Sequence, residues 1–252
     1  MMYNDTAVKF MKIKEKYVKT IDVKNKWVLL TGASRGVGVR VARALADKGC
    51  KLILQSRDLK GTKELVKELK AKGVEAYPVA AELSNLKQVK NLIAKAKKIS
   101  GDHIDIVYNN AAIMAKFRSN IYDAPADDFS SSFLINVITP VMICNAFIPG
   151  MVKRGWGRVV NVTSGIANQP ELMAYSCSKA ALDRYVRDMV STLDKTGVLI
   201  NLMDPGWLRT DLGGPQAPND PDSVIPGALV PVLLDEKEGS GKLYHAMDYA
   251  GK

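Results

Sequence analysis

The chain has 252 residues, of which 47% are hydrophobic and 25% charged, with a formal net charge of +10. That apolar content can fill a sizeable core and excludes an intrinsically disordered chain. No unbroken apolar run reaches the roughly 18 residues of a membrane helix, and residues 1–26 hold no continuous apolar segment of a secretory signal, so a cytoplasmic protein without a membrane anchor is expected.

Residues 1–24 read as a basic extension, with Val8, Met11, Val18 and Ile21 spaced for a weak amphipathic helix that packs on the core. Residues 25–252 read as one domain. Trp27-Val28-Leu29-Leu30 is a short apolar run, suited to a buried parallel strand. It leads directly into Thr31-Gly32-Ala33-Ser34-Arg35-Gly36-Val37-Gly38, after which Val37, Val41, Ala44, Leu45 and Ala46 fall at helical spacing. A glycine-rich turn between a buried strand and a helix lets backbone approach a diphosphate, and the helix N-terminus offers free N–H groups.

Further strands are expected at 51–55, 75–80, 105–108, 158–163, 199–203 and 242–246. Helices are expected near 37–48, 58–71, 85–99, 128–154, 175–195 and 222–234. Strict alternation of this kind predicts an α/β fold: a single-domain, Rossmann-like, doubly wound parallel sheet of about seven strands with helices on both faces. Ligands bind such sheets at the C-terminal strand ends. The turn-rich stretch 213–221 is short for a covering loop and suggests an open pocket. Cys50, Cys144 and Cys177 form no C-x-x-C and read as small buried hydrophobes in a reducing compartment. His103 and His245 have no ligand spacing, so no metal site is expected.

Tyr175 and Lys179 stand four residues apart in a helical stretch, hence on one face. An ammonium one turn from a phenol favours the phenolate, which predicts a lowered tyrosine pKa and a proton donor and acceptor that works at cellular pH. By itself such a pair is common on surface helices; its context gives it weight.

The glycine spacing G-x-x-x-G-x-G together with Tyr175-x-x-x-Lys179 resembles the short-chain dehydrogenase/reductase family. Asn109-Asn110-Ala111-Ala112 lies where that family carries Asn-Asn-Ala-Gly. Asn136 matches its helix asparagine and Ser164 its catalytic serine, and Pro205-Gly206 with Thr210 matches its Pro-Gly-x-x-x-Thr segment. The resemblance covers residues 24–247, with the motifs in family order. Departures are Ala112 for glycine, Glu82 where an aspartate usually contacts adenine, a Ser164–Tyr175 loop two residues shorter than is common, and no Val-Asp-Gly-Gly ending.

The resemblance implies hydride transfer between a nicotinamide and a carbonyl or secondary alcohol. Tyr175 would be the general acid and base, Lys179 its partner and the holder of the nicotinamide ribose, and Ser164 the donor to the carbonyl oxygen. Asn136 would position a water; its other reading is a buried asparagine satisfying helix backbone. The cofactor would lie along Gly32, Ser34, Arg35, Gly36, Val37, Gly38, Ser56, Arg57, Glu82, Leu83, Asn110, Ala111, Pro205, Gly206 and Thr210. NADP(H) is expected over NAD(H). Ser56 stands at the strand end where an NAD-selective site needs a carboxylate, and Arg57 and Arg35 suit a 2′-phosphate, while Asp58 is better placed to cap the next helix.

Alternatives are a 3-oxoacyl-(acyl carrier protein) reductase-like enzyme and a non-catalytic NADPH-binding sensor or scaffold. Lys60, Lys63, Lys67, Lys70 and Lys72 on one helix, and Lys87, Lys90, Lys95, Lys97 and Lys98 on the next, read as solvated faces or as attraction for an acidic carrier protein. No nucleic-acid reading motif accompanies them. A homodimer or homotetramer is expected from the apolar positions Phe133, Val137, Val141, Phe147, Leu182, Val186 and Val190, on helices that pair between subunits in the family.

Overall fold

The computed structural model describes residues 20–250. Seven strands form one parallel sheet: β1 (Trp27–Leu30), β2 (Lys51–Ser56), β3 (Ala76–Ala80), β4 (Ile106–Asn109), β5 (Gly157–Val162), β6 (Val198–Asp204) and β7 (Leu243–His245). Their spatial order is β3-β2-β1-β4-β5-β6-β7. The order reverses between β1 and β4, so the loops leaving these neighbours diverge and open a crevice at their C-terminal ends.

Strand side chains alternate between two cores. Val28, Leu30, Leu52, Leu54, Ile106 and Tyr108 face one side, while Leu29, Ile53, Val107, Val159 and Ile200 face the other. Helices α1 (Gly36–Asp47) and α2 (Lys60–Ala71) close the first side with Val41, Leu45, Leu65 and Leu69. Helices α3 (Leu86–Ser100), α5 (Thr139–Arg154) and α6 (Met173–Leu193) close the second with Val89, Leu92, Ile143, Phe147 and Val186. The interior strands β1, β2, β4, β5 and β6 are buried on both faces, which is why the sequence shows continuous apolar runs there rather than polar alternation.

Several expectations need correction. The helix expected at 128–154 begins at Ala126 and is α4 (Ala126–Phe133), a π turn at Leu134–Ile138, and then α5. The span Ala126–Arg154 is long and apolar enough to cross a bilayer by length and composition, and half of its most apolar window is buried inside the molecule, as in a core helix. Residues 222–234 form two short 3₁₀ turns, Pro221–Val224 and Gly227–Val232, rather than a helix. Pro226 lies between them and Pro231 inside the second, and neither can donate a helical hydrogen bond. Phe147, Leu182 and Val186 are buried and Phe133, Val137, Val141 and Val190 half-buried, so only part of the apolar stripe expected to pair subunits remains on the surface. Cys177 is exposed, unlike Cys50 and Cys144. The lysines of α2 and α3 listed above are exposed, apart from the half-buried Lys97. The expected helix carrying Val8, Met11 and Val18 lies outside the described residues; of the extension, Ile21 bonds through its N–H to the Leu233 carbonyl and Val23 is buried.

One buried charge ties the far end of the sheet together. Arg158, near the start of β5, is 1% exposed. Its Nε and Nη2 donate to the Leu234 carbonyl at 3.0 and 2.7 Å, and its Nη1 to the carbonyls of Gly157 and Gly197 at 2.7 and 3.1 Å. Burial pulls the guanidinium down to about 10, against Glu236 and Asp235, which favour its charge. Arg158→Leu leaves these buried acceptors without donors and is expected to cost roughly 1–3 kcal/mol. Urea unfolding checks this: the midpoint should fall with an unchanged slope.

Candidate active site

The turn after β1 is built by close approach. Gly32 and Gly36 have φ of +66° and +55°, in the left-handed region that favours glycine. A Cβ on Gly38 would lie 2.1 Å from the Gly32 carbonyl oxygen and 2.9 Å from Asn110 Nδ2, so only glycine lets α1 press this closely against the strand end. Asn110 Nδ2 donates to the carbonyls of Thr31 and Gly32 at 2.9 and 3.1 Å. Thr31 Oγ1 accepts from the Asn110 and Ala111 amides, each at 3.1 Å. The Gly32 amide donates to Gln55 Oε1 at 2.8 Å, and Gln55 Nε2 donates to the Ala81 carbonyl at 2.7 Å. Thr31 and Gln55 thus lace four strand ends together, and sequence reading missed both. Their signal was a lone polar residue closing an apolar strand.

At the end of β2, Ser56 is buried, and its hydroxyl bonds to the Asp58 carbonyl and approaches Thr62 Oγ1 at 3.3 Å. Asp58 Oδ1 accepts the Gly61 amide at 2.8 Å, so that carboxylate caps the start of α2. Glu82 Oε1 accepts both the amide and the hydroxyl of Ser84 at 3.0 Å, and its carboxylate is engaged in that turn. Arg35 Nη1 sits 2.6 Å from Asp211 Oδ2, an exposed pair of the kind that contributes little and exchanges readily.

The catalytic candidates meet where β5 ends and α6 begins. Ser164, just past the end of β5, is near enough to the Tyr175 phenol to favour its ionised form. Lys179 is buried one turn on, with its Nζ 5.8 Å from the centre of the Tyr175 ring, and donates to the Val162 carbonyl at 2.7 Å. Asn136 sits fully buried in the π turn. Its Oδ1 accepts the Ile113 amide, and its Nδ2 donates to the Ile113 carbonyl and to Ser178 Oγ, each at 2.9 Å. Both amide hydrogens are therefore committed to protein. The Asn136 side chain pins the loop after β4 to the residue preceding Lys179.

A cavity of about 400 Å³ runs between these ends. Its wall includes Gly32, Ser34, Arg35, Gly36, Val37, Ser56, Arg57, Glu82, Leu83, Asn110, Ala111, Tyr175, Lys179, Pro205 and Thr210. Gly38, Asn136, Ser164 and Gly206, also expected at the site, are not among the lining residues. Ala112, Ile113, Met114 and Leu212 also line it, and sequence reading assigned none of them to the site. The glycine cradle, the free amides at the start of α1 and a β2 end without a carboxylate on the wall fit a dinucleotide.

Burial decides the ionisation here, and it corrects the expected lowering of the tyrosine. Tyr175 is pushed up to about 12, chiefly by desolvation, with Asp204 acting in the same direction and Ser164 against it. Desolvation pulls Lys179 down to about 8 from 10.5, against the nearby Asp183. Below pH 8 the ammonium is charged in both the folded and unfolded chain, and the folded state bears the full penalty. Between the two values the unfolded chain binds the extra proton, so stability rises with pH across that window. Lys179→Met removes the buried charge and is expected to stabilise the fold by about 1–2 kcal/mol at neutral pH while removing the rise at alkaline pH. Urea titrations on both sides of the window check this; a destabilised variant, or a wild type equally stable at both, contradicts it.

The short chain dehydrogenase profile matches residues 26–220. The Danio rerio protein "Dehydrogenase/reductase SDR family member 7B" is 31% identical over 210 residues, covering 80% of this chain and 67% of that protein. "Ketoacyl reductase HetN" of Nostoc sp. is 34% identical over 188 residues, covering 73% of this chain and 63% of that protein. The chain therefore spans 63–67% of these relatives' own length. Among solved structures, NADPH-bound carbonyl reductase from chicken fatty liver superposes with a TM-score of 0.77 at 24% identity, covering 88% of this chain and 97% of that one. With its parallel seven-stranded sheet and the profile match over most of its length, the chain belongs to the short-chain dehydrogenase/reductase family of nicotinamide-dependent oxidoreductases.

Proposed function

We propose that this chain transfers hydride between NADP(H) and a carbonyl or secondary alcohol, with Tyr175 as proton donor and acceptor. The observation that carries the reading is that Tyr175 and Lys179 line the same cavity as the glycine turn, with Ser164 near the phenol. When bound, the nicotinamide supplies or takes the hydride. The amides of the glycine turn and of the start of α1 would hold the diphosphate, and Lys179 the ribose.

The protein's share of the chemistry follows from its own groups. A phenol pushed up to about 12 is protonated at neutral pH and is ready to donate to a developing alkoxide. The Ser164 hydroxyl beside it would donate to the same oxygen, orienting the carbonyl and stabilising the charge that grows there. The buried Lys179 ammonium favours the phenolate once the proton has left, and so limits the charge left in the pocket. Met114, Ile113 and Leu212 on the wall restrict water near the transfer.

Tyr175→Phe deletes only the donor and is expected to lower kcat by 10²-fold or more, roughly the range for loss of a general acid, while NADPH still binds. NADPH consumption with a panel of ketones and aldehydes, alongside cofactor binding by fluorescence, measures both. Activity within tenfold of wild type sinks the assignment. A wild type that binds NADPH and reduces nothing favours a sensor or scaffold instead.

The cofactor preference rests on Ser56. No carboxylate on the cavity wall at the end of β2 opposes a 2′-phosphate, and Arg57 and Arg35 line the same wall. The bound NADPH of the chicken reductase supports the reading by analogy. Charge-assisted contacts contribute about 1.5–3 kcal/mol each, so two arginines correspond to a preference of roughly 10²-fold or more. Ser56→Asp combined with Arg57→Ala is expected to reverse the ratio of kcat/KM for NADPH and NADH. Equal use of the two cofactors by the wild type would contradict it.

A further inference from the structure

Asp204 ends β6 at 8% exposure, and its carboxylate gathers three strand ends. Oδ2 accepts the Gly165 amide at 3.1 Å, and Oδ1 accepts the Gly206 amide at 2.9 Å. His245, its register partner at the end of β7, places Nδ1 3.2 Å from Oδ2. Gly165 directly follows Ser164, and a Cβ on Gly165 would lie 2.9 Å from Asp204 Oδ2. The carboxylate and the missing side chain therefore fit each other. The Ser164 hydroxyl also accepts the Ile166 amide at 3.3 Å, so the two residues that follow the serine are both tied down.

A buried carboxylate is an expensive way to fasten a loop, since desolvation weighs against it unless hydrogen bonds compensate. The titratable groups that face it are His245 from β7 and Asp183 and Tyr175 from α6. Two of these three are acids, so the surroundings do little to lower its energy. What the carboxylate achieves is positional: it joins the loop bearing Ser164 to the Pro205–Gly206 turn at the other side of the pocket mouth.

We propose that Asp204 is a positioning residue for the reaction argued above, holding the Ser164–Gly165 peptide so that the serine hydroxyl stays against the Tyr175 phenol and the incoming carbonyl oxygen. The inference rests on the oxidoreductase reading. Hydroxyl placement matters here because small errors in geometry at a reacting centre lower rate far more than binding.

Asp204→Asn keeps the shape but turns an amide NH₂ towards one of the two backbone donors, where it cannot accept. The expected result is a fall in kcat of about 10–100-fold, with KM for NADPH and its dissociation constant changed by less than about threefold. Amide exchange at Gly165 should accelerate at least about tenfold, because its protecting acceptor is lost. Gly165→Ala, which displaces the carboxylate without altering charge, should reproduce both effects, and the double variant should be no worse than either single one. It also stands in if Asp204→Asn does not fold. A kcat within twofold of wild type, additive variants, or unchanged exchange at Gly165 overturns the proposal. Exchange needs no substrate, so a wild type that reduces no carbonyl fails the oxidoreductase reading separately, while an unchanged Gly165 amide fails the clamp.

Discussion

The close contact between Gly38 and the Gly32 carbonyl fixes where everything else can lie. It presses the first turn of α1 onto the end of β1 at a distance no side chain tolerates. The glycines thereby leave the crevice between β1 and β4 open to close approach by a ligand. Thr31, Gln55 and Asn110 then hold four adjacent strand ends in one plane through hydrogen bonds, so the crevice is rigid before any ligand enters. Such a preorganised donor set binds an anion with little reorganisation.

At the opposite end the protein accepts destabilisation. Lys179 is charged at neutral pH and almost fully buried, and its ammonium donates to the Val162 carbonyl. Asp183, one turn further along α6, is held above the ordinary carboxylate range by burial and by Asp204, while its bond from Thr163 acts the other way. Neither arrangement is what a core optimised for stability would choose, and both lie within about two helical turns of Tyr175. Strain of this kind concentrates where function needs it. The far edge of the sheet differs: Arg158 is as deeply buried, but its guanidinium serves carbonyls on three segments and acts as a structural rivet.

Much of this was legible in the sequence because its signals are local. Strand β1, the glycine turn and α1 follow one another without a gap, and i,i+4 spacing placed Tyr175 and Lys179 together without any tertiary knowledge. The strand ends near Ser56 and Pro205 were found the same way. What sequence could not show is how burial competes with charge. Spacing alone suggests that an ammonium lowers the phenol; the depth of the site, set by residues far away in the chain, reverses the sign. Asn136 was located but its partners were not, since Ile113 and Ser178 come from separate segments. The stretch after residue 220 misled because its apolar residues fall at helical spacing while Pro226 and Pro231 deny it the donors a helix needs.

The π turn at Leu134–Ile138 has a consequence for how this chain can change. A π turn holds one residue more than an α-helical turn and absorbs it as a local widening, so the helices before and after keep their faces. Deleting one residue there would leave Ile143, Phe147 and Met151 against the sheet and the span continuous. Asn136, however, would no longer lie opposite both Ile113 and Ser178. The widened turn is therefore an insertion that the scaffold tolerates without needing it, and the geometry around Lys179 is what holds it in place.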